Sequence, residues 1–294
     1  MKKLNFPLFD GVATALLTPF SEDGSIDEDS FERMVLRQID SGISALVVAG
    51  TTGEGTTLSD KEKCRLTSLA KDLCTGKIPV YGNCGANDTE KAVSLAKKLT
   101  RAGADGLLSV TPYYNKATRR GLYLHYKAIA SATDTPLMVY HVPTRTGCRM
   151  TIENYADLSE LDTLVAVKEA SGELRLLSDL LEDFGERYAV YAGNDEDALF
   201  ARRLGSPGCV SVLSNLLPED CVRLQALCRI GDWSAARSLE KELLPKMQAM
   251  FREVNPVPAK YVASRIGLCK PSWRLPMCEP SKETAAELDD LFKL

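Results

Sequence analysis

The chain has 294 residues, 45% hydrophobic and 26% charged, the profile of an ordinary globular protein with a sizeable core. A formal net charge of −4 without any basic block excludes nucleic acid as an expected partner. No run of about 20 apolar residues exists, so no membrane helix is expected.

The N-terminal segment Met1–Pro7 has neither the apolar centre nor the cleavage site of an export signal, which points to the cytoplasm. Apolar runs then recur at 12–17, 45–49, 78–82, 106–110, 137–141, 164–168, 188–192 and 208–213. Amphipathic stretches near 28–41, 59–74, 88–102, 118–132, 151–159, 173–184, 195–204 and 218–230 separate them. Strict alternation of strand and helix predicts a parallel sheet, and eight repeats predict a closed (β/α)8 TIM barrel over 1–230. An open doubly wound sheet is disfavoured, because no G-x-G-x-x-G follows any strand. From 231 to 294 the pattern changes to helices near 233–252, 258–267 and 281–293, broken by Pro256, Pro258, Pro271, Pro276 and Pro280. This reads as a C-terminal helical extension packed on the barrel.

Nine cysteines are scattered without a C-x-x-C pair, as suits buried thiols in a reducing compartment. The two histidines, His125 and His141, lie in no metal-ligand motif, so neither a metal nor a zinc mechanism is expected.

In a barrel of this kind the active site lies on the loops that follow the strands. After the second strand stands Gly50-Thr51-Thr52-Gly53-Glu54-Gly55, which nearly matches a phosphate loop. Thr56 occupies the place where that loop requires lysine, so nucleotide binding is rejected. Its hydroxyls and backbone N–H groups suit a small carboxylate at a helix entrance; the alternative is a plain turn. After the fourth strand comes Thr111-Pro112-Tyr113-Tyr114-Asn115. After the fifth comes Tyr140-His141-Val142-Pro143-Thr144-Arg145-Thr146-Gly147. Tyr140 offers a proton-transfer group or, alternatively, a core aromatic, and Arg145 a carboxylate fork or a surface ion pair. His141 has no acid partner evident from the sequence and reads as structural.

Lys168 ends the apolar run Leu164-Val165-Ala166-Val167. A lysine at the mouth of a buried strand must reach water, pair with an acid such as Glu169, or give up its proton. A free lysine has a pKa of about 10.4. Desolvation lowers that by up to roughly 3–5 units, enough to supply a nucleophilic amine for a Schiff base. Ala166, on the same strand face, leaves room beneath the amine.

Together the motifs Gly50-Thr-Thr-Gly-Glu, Thr111-Pro-Tyr-Tyr-Asn, Tyr140-His-Val-Pro-Thr-Arg-Thr-Gly and Val167-Lys-Glu-Ala-Ser-Gly resemble the dihydrodipicolinate synthase family. That family lies within the pyruvate-dependent Schiff-base aldolases that include N-acetylneuraminate lyase. The resemblance runs from about Gly11 to Met277. Thr51-Thr52 and Arg145 favour the synthase over the lyase, while His141 departs from the usual asparagine.

The resemblance implies a lysine/diaminopimelate-pathway lyase, usually a homotetramer, that condenses pyruvate with L-aspartate 4-semialdehyde to 4-hydroxy-tetrahydrodipicolinate without a cofactor. Lys168 would form the Schiff base. Tyr140, Thr51 and Tyr114 would relay protons, with Tyr114 reaching in from a neighbouring subunit. Thr51 and Thr52 would hold the pyruvate carboxylate and Arg145 that of the aldehyde, with Gly193 and Val210 lining the pocket. Relatives inhibited by lysine bind it at positions matched by Gly55, Leu58, Asp60, Lys63, Asn87, Lys91 and Tyr113. Lys91 in place of glutamate and Lys63 in place of histidine predict weak or absent lysine inhibition. Competing readings are an aldolase for a sugar acid or hydroxy-oxo acid, a non-catalytic barrel, and a phosphate-binding isomerase. The last is disfavoured because Gly205-Ser206-Pro207-Gly208 precedes rather than follows the eighth strand.

Overall fold

The computed structural model describes residues 8–294; the segment Met1–Pro7 lies outside the described residues. Eight parallel strands close into a barrel in sequence order: β1 Gly11–Ala15, β2 Ala45–Val48, β3 Val80–Asn83, β4 Gly106–Val110, β5 Leu137–His141, β6 Leu164–Glu169, β7 Ala189–Ala192 and β8 Gly208–Ser211. Helices α1 Glu28–Asp40, α2 Asp60–Cys74, α3 Thr89–Arg101 and α4 Arg119–Ala130 follow the first four strands. A single turn α5 Pro143–Thr146 and then α6 Ile152–Leu158 follow β5. The helices α7 Leu174–Phe184, α8 Ala198–Arg203 and α9 Pro218–Arg229 complete the outer ring. The TIM-barrel expectation therefore holds. The expected helix 195–204 is split, its first three residues forming a 3-10 turn, Asp195–Asp197.

The strands are buried on both faces, which explains their unbroken apolar runs. Alternate side chains nevertheless part company. Leu46, Val48, Val139, Val167 and Val190 join the core under the helices. Ala45, Val47, Met138, Tyr140, Ala166, Ala189 and Tyr191 fill the barrel itself. The many alanines leave space for large rings: Phe9 stacks on Tyr191 with centroids 4.0 Å apart and closes the end of the barrel remote from the loops that follow the strands. The same alternation turns Lys168 inward and Glu169 outward.

Side-chain caps place the helix starts. Ser59 and Glu62 form a reciprocal capping box at α2, and Asp27, Asp88 and Thr118 cap α1, α3 and α4. Three more helices follow: α10 Trp233–Ala249, α11 Val257–Arg265 and α12 Lys282–Phe292. α10 packs on α9 and α12, and α11 packs on α12. Pro258 opens the helix expected near 258–267. It sits in the first turn of α11, where its missing N–H has no helical acceptor to lose.

Candidate active site

β5 and β6 run in register with Tyr140 beside Lys168, so both side chains enter the barrel mouth together. The Lys168 ammonium lies 4.2 Å from the centroid of the Tyr140 ring. Lys168 is 5% exposed and has no ion-pair partner among the described residues. A cation in that position is held by the π face of the ring, which does not tie up the nitrogen lone pair once the proton leaves. Pairing of Lys168 with Glu169, one of the alternatives left open by the sequence, does not occur.

Glu169, on the opposite face, has other partners. It accepts the Ser171 N–H at 2.7 Å and the Tyr155 hydroxyl at 3.2 Å. His141 Nδ1 lies 2.8 Å from Glu169 Oε2, and His141 Nε2 accepts the Met150 N–H at 3.0 Å. Because Nε2 accepts, the proton of the neutral ring sits on Nδ1 and is donated to the carboxylate. His141 is structural, as its sequence context indicated, but it does have an acid partner. That partner is 28 residues away and is visible only through strand register.

A cavity of about 660 Å³ opens above the amine. Lys168, Tyr140, Thr52, Arg145 and Gly193 line it, so the structure brings together five of the residues singled out from the sequence. Gly193 leaves room that a side chain would lose, since a Cβ there would press on Ala170 and the Glu169 carbonyl. Val210 instead packs inside the barrel at 0% exposure, and Val212 stands on the wall. Arg145 is carried by the turn α5, whose Gly147 ends it at φ +66°. The sequence pattern read this segment as an irregular loop, because four residues between Pro143 and Gly147 show no helical period.

The Gly50–Gly55 segment is a series of turns, and α2 begins only at Asp60, so Thr51 and Thr52 do not stand at a helix entrance. The Gly55 N–H bonds to the Gly50 carbonyl at 2.9 Å, and the Thr18 hydroxyl to the Gly53 carbonyl at 2.7 Å. A Cβ on Gly55 would collide with the Ala49 carbonyl, which is why the turn needs glycine. Glu54 is buried and forms an ion pair with Lys260 of α11, while its other oxygen accepts the Arg274 N–H at 3.1 Å. Burial pushes the Lys260 amine down from the usual lysine range, and the Glu54 carboxylate works against that.

Four features of the site were not evident in the sequence. The segment Phe251–Asn255, between α10 and α11, forms one side of the cavity. Asn255 donates from Nδ2 to Thr52 Oγ1 at 3.0 Å, and its carbonyl accepts from Arg145 at 3.1 Å. Asp195 is buried and accepts the Val212 and Leu213 N–H groups at 2.9 and 3.0 Å. Its carboxyl is pushed up by burial, against those hydrogen bonds and the charge of Lys168. The fourth is the Glu54–Lys260 pair. The Asn255-Pro256 dipeptide carried a turn signal, but nothing in it indicated where the turn would lie.

A second cavity of about 580 Å³ shares Tyr140, Val142, Arg145 and Asn255 with the first. Thr51, Tyr113, Lys63 and Lys91 line this one. Burial pushes the Lys63 amine down, with Asp60 opposing. Asn87 is not on the wall; its carbonyl accepts from Asn115 at 2.8 Å. Tyr114 is 88% exposed with φ +74° and lines neither cavity.

A closed (β/α)8 barrel with an inward lysine amine, a phenol in register and an arginine at the strand ends defines an enzyme of the lysine-bearing barrel class. Residues 8–294 match the model of the dihydrodipicolinate synthetase family, and the chain belongs to that family. It is 40% identical over 282 residues to the 4-hydroxy-tetrahydrodipicolinate synthase of Fervidobacterium nodosum, covering 96% of each chain. The dihydrodipicolinate synthase of Thermotoga maritima superposes with a TM-score of 0.95 at 38% identity, covering 97% of this chain and 98% of that one. The chloride-inhibited synthase from Acinetobacter baumannii, solved with pyruvate, superposes at 0.94 with 35% identity, covering 97% and 98%.

Proposed function

We propose that this chain is a lyase that condenses pyruvate with L-aspartate 4-semialdehyde to give 4-hydroxy-tetrahydrodipicolinate, for lysine and diaminopimelate synthesis. One observation carries the reading: the Lys168 amine lies over the Tyr140 ring in a cavity that also holds Thr52 and Arg145. The amine attacks the keto carbon of pyruvate, and loss of water forms an imine. Loss of a methyl proton turns the imine into an enamine. The enamine carbon attacks the aldehyde, and a proton relayed through Tyr140 neutralises the new alkoxide. The substrate's own amine then adds to the imine carbon and expels Lys168, closing the ring.

Thr51 and Thr52 hold the pyruvate carboxylate. Asn255 donates to Thr52 Oγ1, so the Thr52 hydroxyl proton is free for that anion. Arg145, on its rigid turn, takes the carboxylate of the aldehyde. Gly193 and Val212 shape the pocket wall. The exposed Tyr114 completes the relay from a neighbouring subunit of a homotetramer. The proposed division is a catalytic barrel up to residue 230 and a helical unit over 231–294. Among the described residues no helix is long and apolar enough to cross a membrane. The compartment proposed for this activity is the cytoplasm.

The test is pyruvate-dependent consumption of L-aspartate semialdehyde, with Lys168→Ala as control. Turnover and borohydride-trapped pyruvate adduct should both vanish in a folded variant. Near-normal turnover by that variant would overturn the assignment.

A further inference from the structure

Resting on the imine chemistry proposed above, we infer that His141 and Glu169 are positioning residues that hold the Tyr140 phenol against the Lys168 amine. Tyr140 faces Lys168 in the ladder of β5 and β6, and His141 faces Glu169 one step further on, at the last residue of each strand. Side chains alternate along a strand, so the first pair points into the barrel and the second points out. His141 and Glu169 are 0% and 2% exposed, and neither lines the cavity above Lys168. Every polar side-chain atom of the pair is engaged. The imidazole donates from Nδ1 to Glu169 Oε2 and accepts the Met150 N–H at Nε2. The carboxylate also takes the Ser171 N–H on Oε1 and the Tyr155 hydroxyl on Oε2. The last backbone bond between the strand ends runs from the Ala170 N–H to the His141 carbonyl at 2.9 Å. The side-chain bond therefore clamps β5 to β6 where the ladder stops.

Stability alone does not call for such a pair. It continues the outward face of Val139 and Val167 in the apolar layer under the helices. There, two well-packed hydrophobic side chains often serve as well as a buried polar pair, or better. What the polar pair adds is direction. A hydrogen bond between the two strand ends fixes how they lie relative to one another, and with them the side chains one residue back. The Lys168 ammonium rests on the π face of Tyr140, 4.2 Å from its centroid, with no ion pair among the described residues to hold it. Their relation therefore depends on the backbone that carries them. The chemistry is sensitive to it. The carbinolamine hydroxyl leaves as water on taking a proton from the phenol, while the nitrogen lone pair forms the protonated imine. A misplacement of about 1 Å between such groups costs on the order of 100-fold in rate.

Timed borohydride quenching of the chain with pyruvate alone measures the rate of imine formation without the aldehyde. His141→Leu is expected to slow that rate about 10- to 100-fold and to leave the pyruvate concentration at half-maximal rate within about threefold. His141→Asn keeps a nitrogen donor near the place of Nδ1 and is expected to stay within about threefold of the unaltered chain. Glu169→Gln should be slow, because an amide has one oxygen and its NH2 group must meet either the His141 or the Ser171 N–H. It carries the test if His141→Leu does not fold. In a Tyr140→Phe chain, adding His141→Leu or Glu169→Gln should cost less than about threefold more, since the phenol that the pair positions is already gone. Unchanged rates in His141→Leu and Glu169→Gln, with only a lower Tm, would overturn the inference. So would the full loss repeated in the Tyr140→Phe chain, a change in half-rate concentration alone, or a His141→Asn variant as slow as His141→Leu. No trapped adduct in the unaltered chain would overturn the proposed function itself, which separates the two failures.

Discussion

Replacing Lys260 with methionine isolates one polar contact that holds the C-terminal helices to the catalytic loop. Lys260 and Glu54 have 0% and 1% of their side chains exposed. Methionine keeps the apolar stem against Phe20, where the ammonium now lies 4.2 Å from the ring centroid. It leaves the Glu54 carboxylate buried with the Arg274 N–H as its remaining donor. Breaking a buried pair by removing one partner costs about 3–5 kcal/mol, chiefly because the other charge stays desolvated. In a chain of this size that is a fall in Tm of roughly 6–10 °C. Removing both charges, in Lys260→Met/Glu54→Gln, should recover most of the loss, because no buried charge remains. Thermal and urea unfolding of the two single variants and the double variant form the cycle. The single variant should also raise the KM for pyruvate, since the Glu54 N–H closes a turn on the Thr51 carbonyl at 3.1 Å. A Lys260→Met variant within about 1 kcal/mol of the parent, or a double variant that simply adds the two losses, would refute the reasoning.

His125 predicts a pH dependence of stability. Its ring is 4% exposed, with Nδ1 2.9 Å from the Thr89 hydroxyl, and burial pushes its pKa down to about 4. The unfolded chain binds this proton near 6.5 and the folded one only near 4, so stability is full above 6.5 and falls as the pH drops from 6.5 to 4. The gap corresponds to roughly 3 kcal/mol, and urea midpoints across that window should change less in His125→Gln; equal changes would refute it. L-lysine should inhibit turnover weakly or not at all, because Lys63 and Lys91 present positive charge to its ammonium in the second cavity. A submillimolar inhibition constant would contradict that.

Much of the barrel was legible because its signals are local. Val167 and Ala166 belong to opposite faces simply by being neighbours on a strand, and the run they share could be recognised without knowing what packs on it. Lys168 was legible for the same reason: an amine at the end of such a run conflicts with its surroundings. The turn α5 escaped notice because one helical turn is shorter than the period that would reveal it.

By itself, the sequence determined the strand–helix order, the inward lysine and the run of hydroxyls, phenol and arginine after successive strands. These follow from side-chain periodicity and backbone propensity, which act over a few residues. Only the tertiary structure decided that Glu169 serves His141 rather than Lys168, that Glu54 meets Lys260, and that Asn255 joins Thr52 to Arg145. The last two reach across 206 and 203 positions of the chain. Such partners meet only once the barrel has closed and the C-terminal helices have packed on it, because desolvation and hydrogen-bond geometry act through space and carry no trace in sequence spacing.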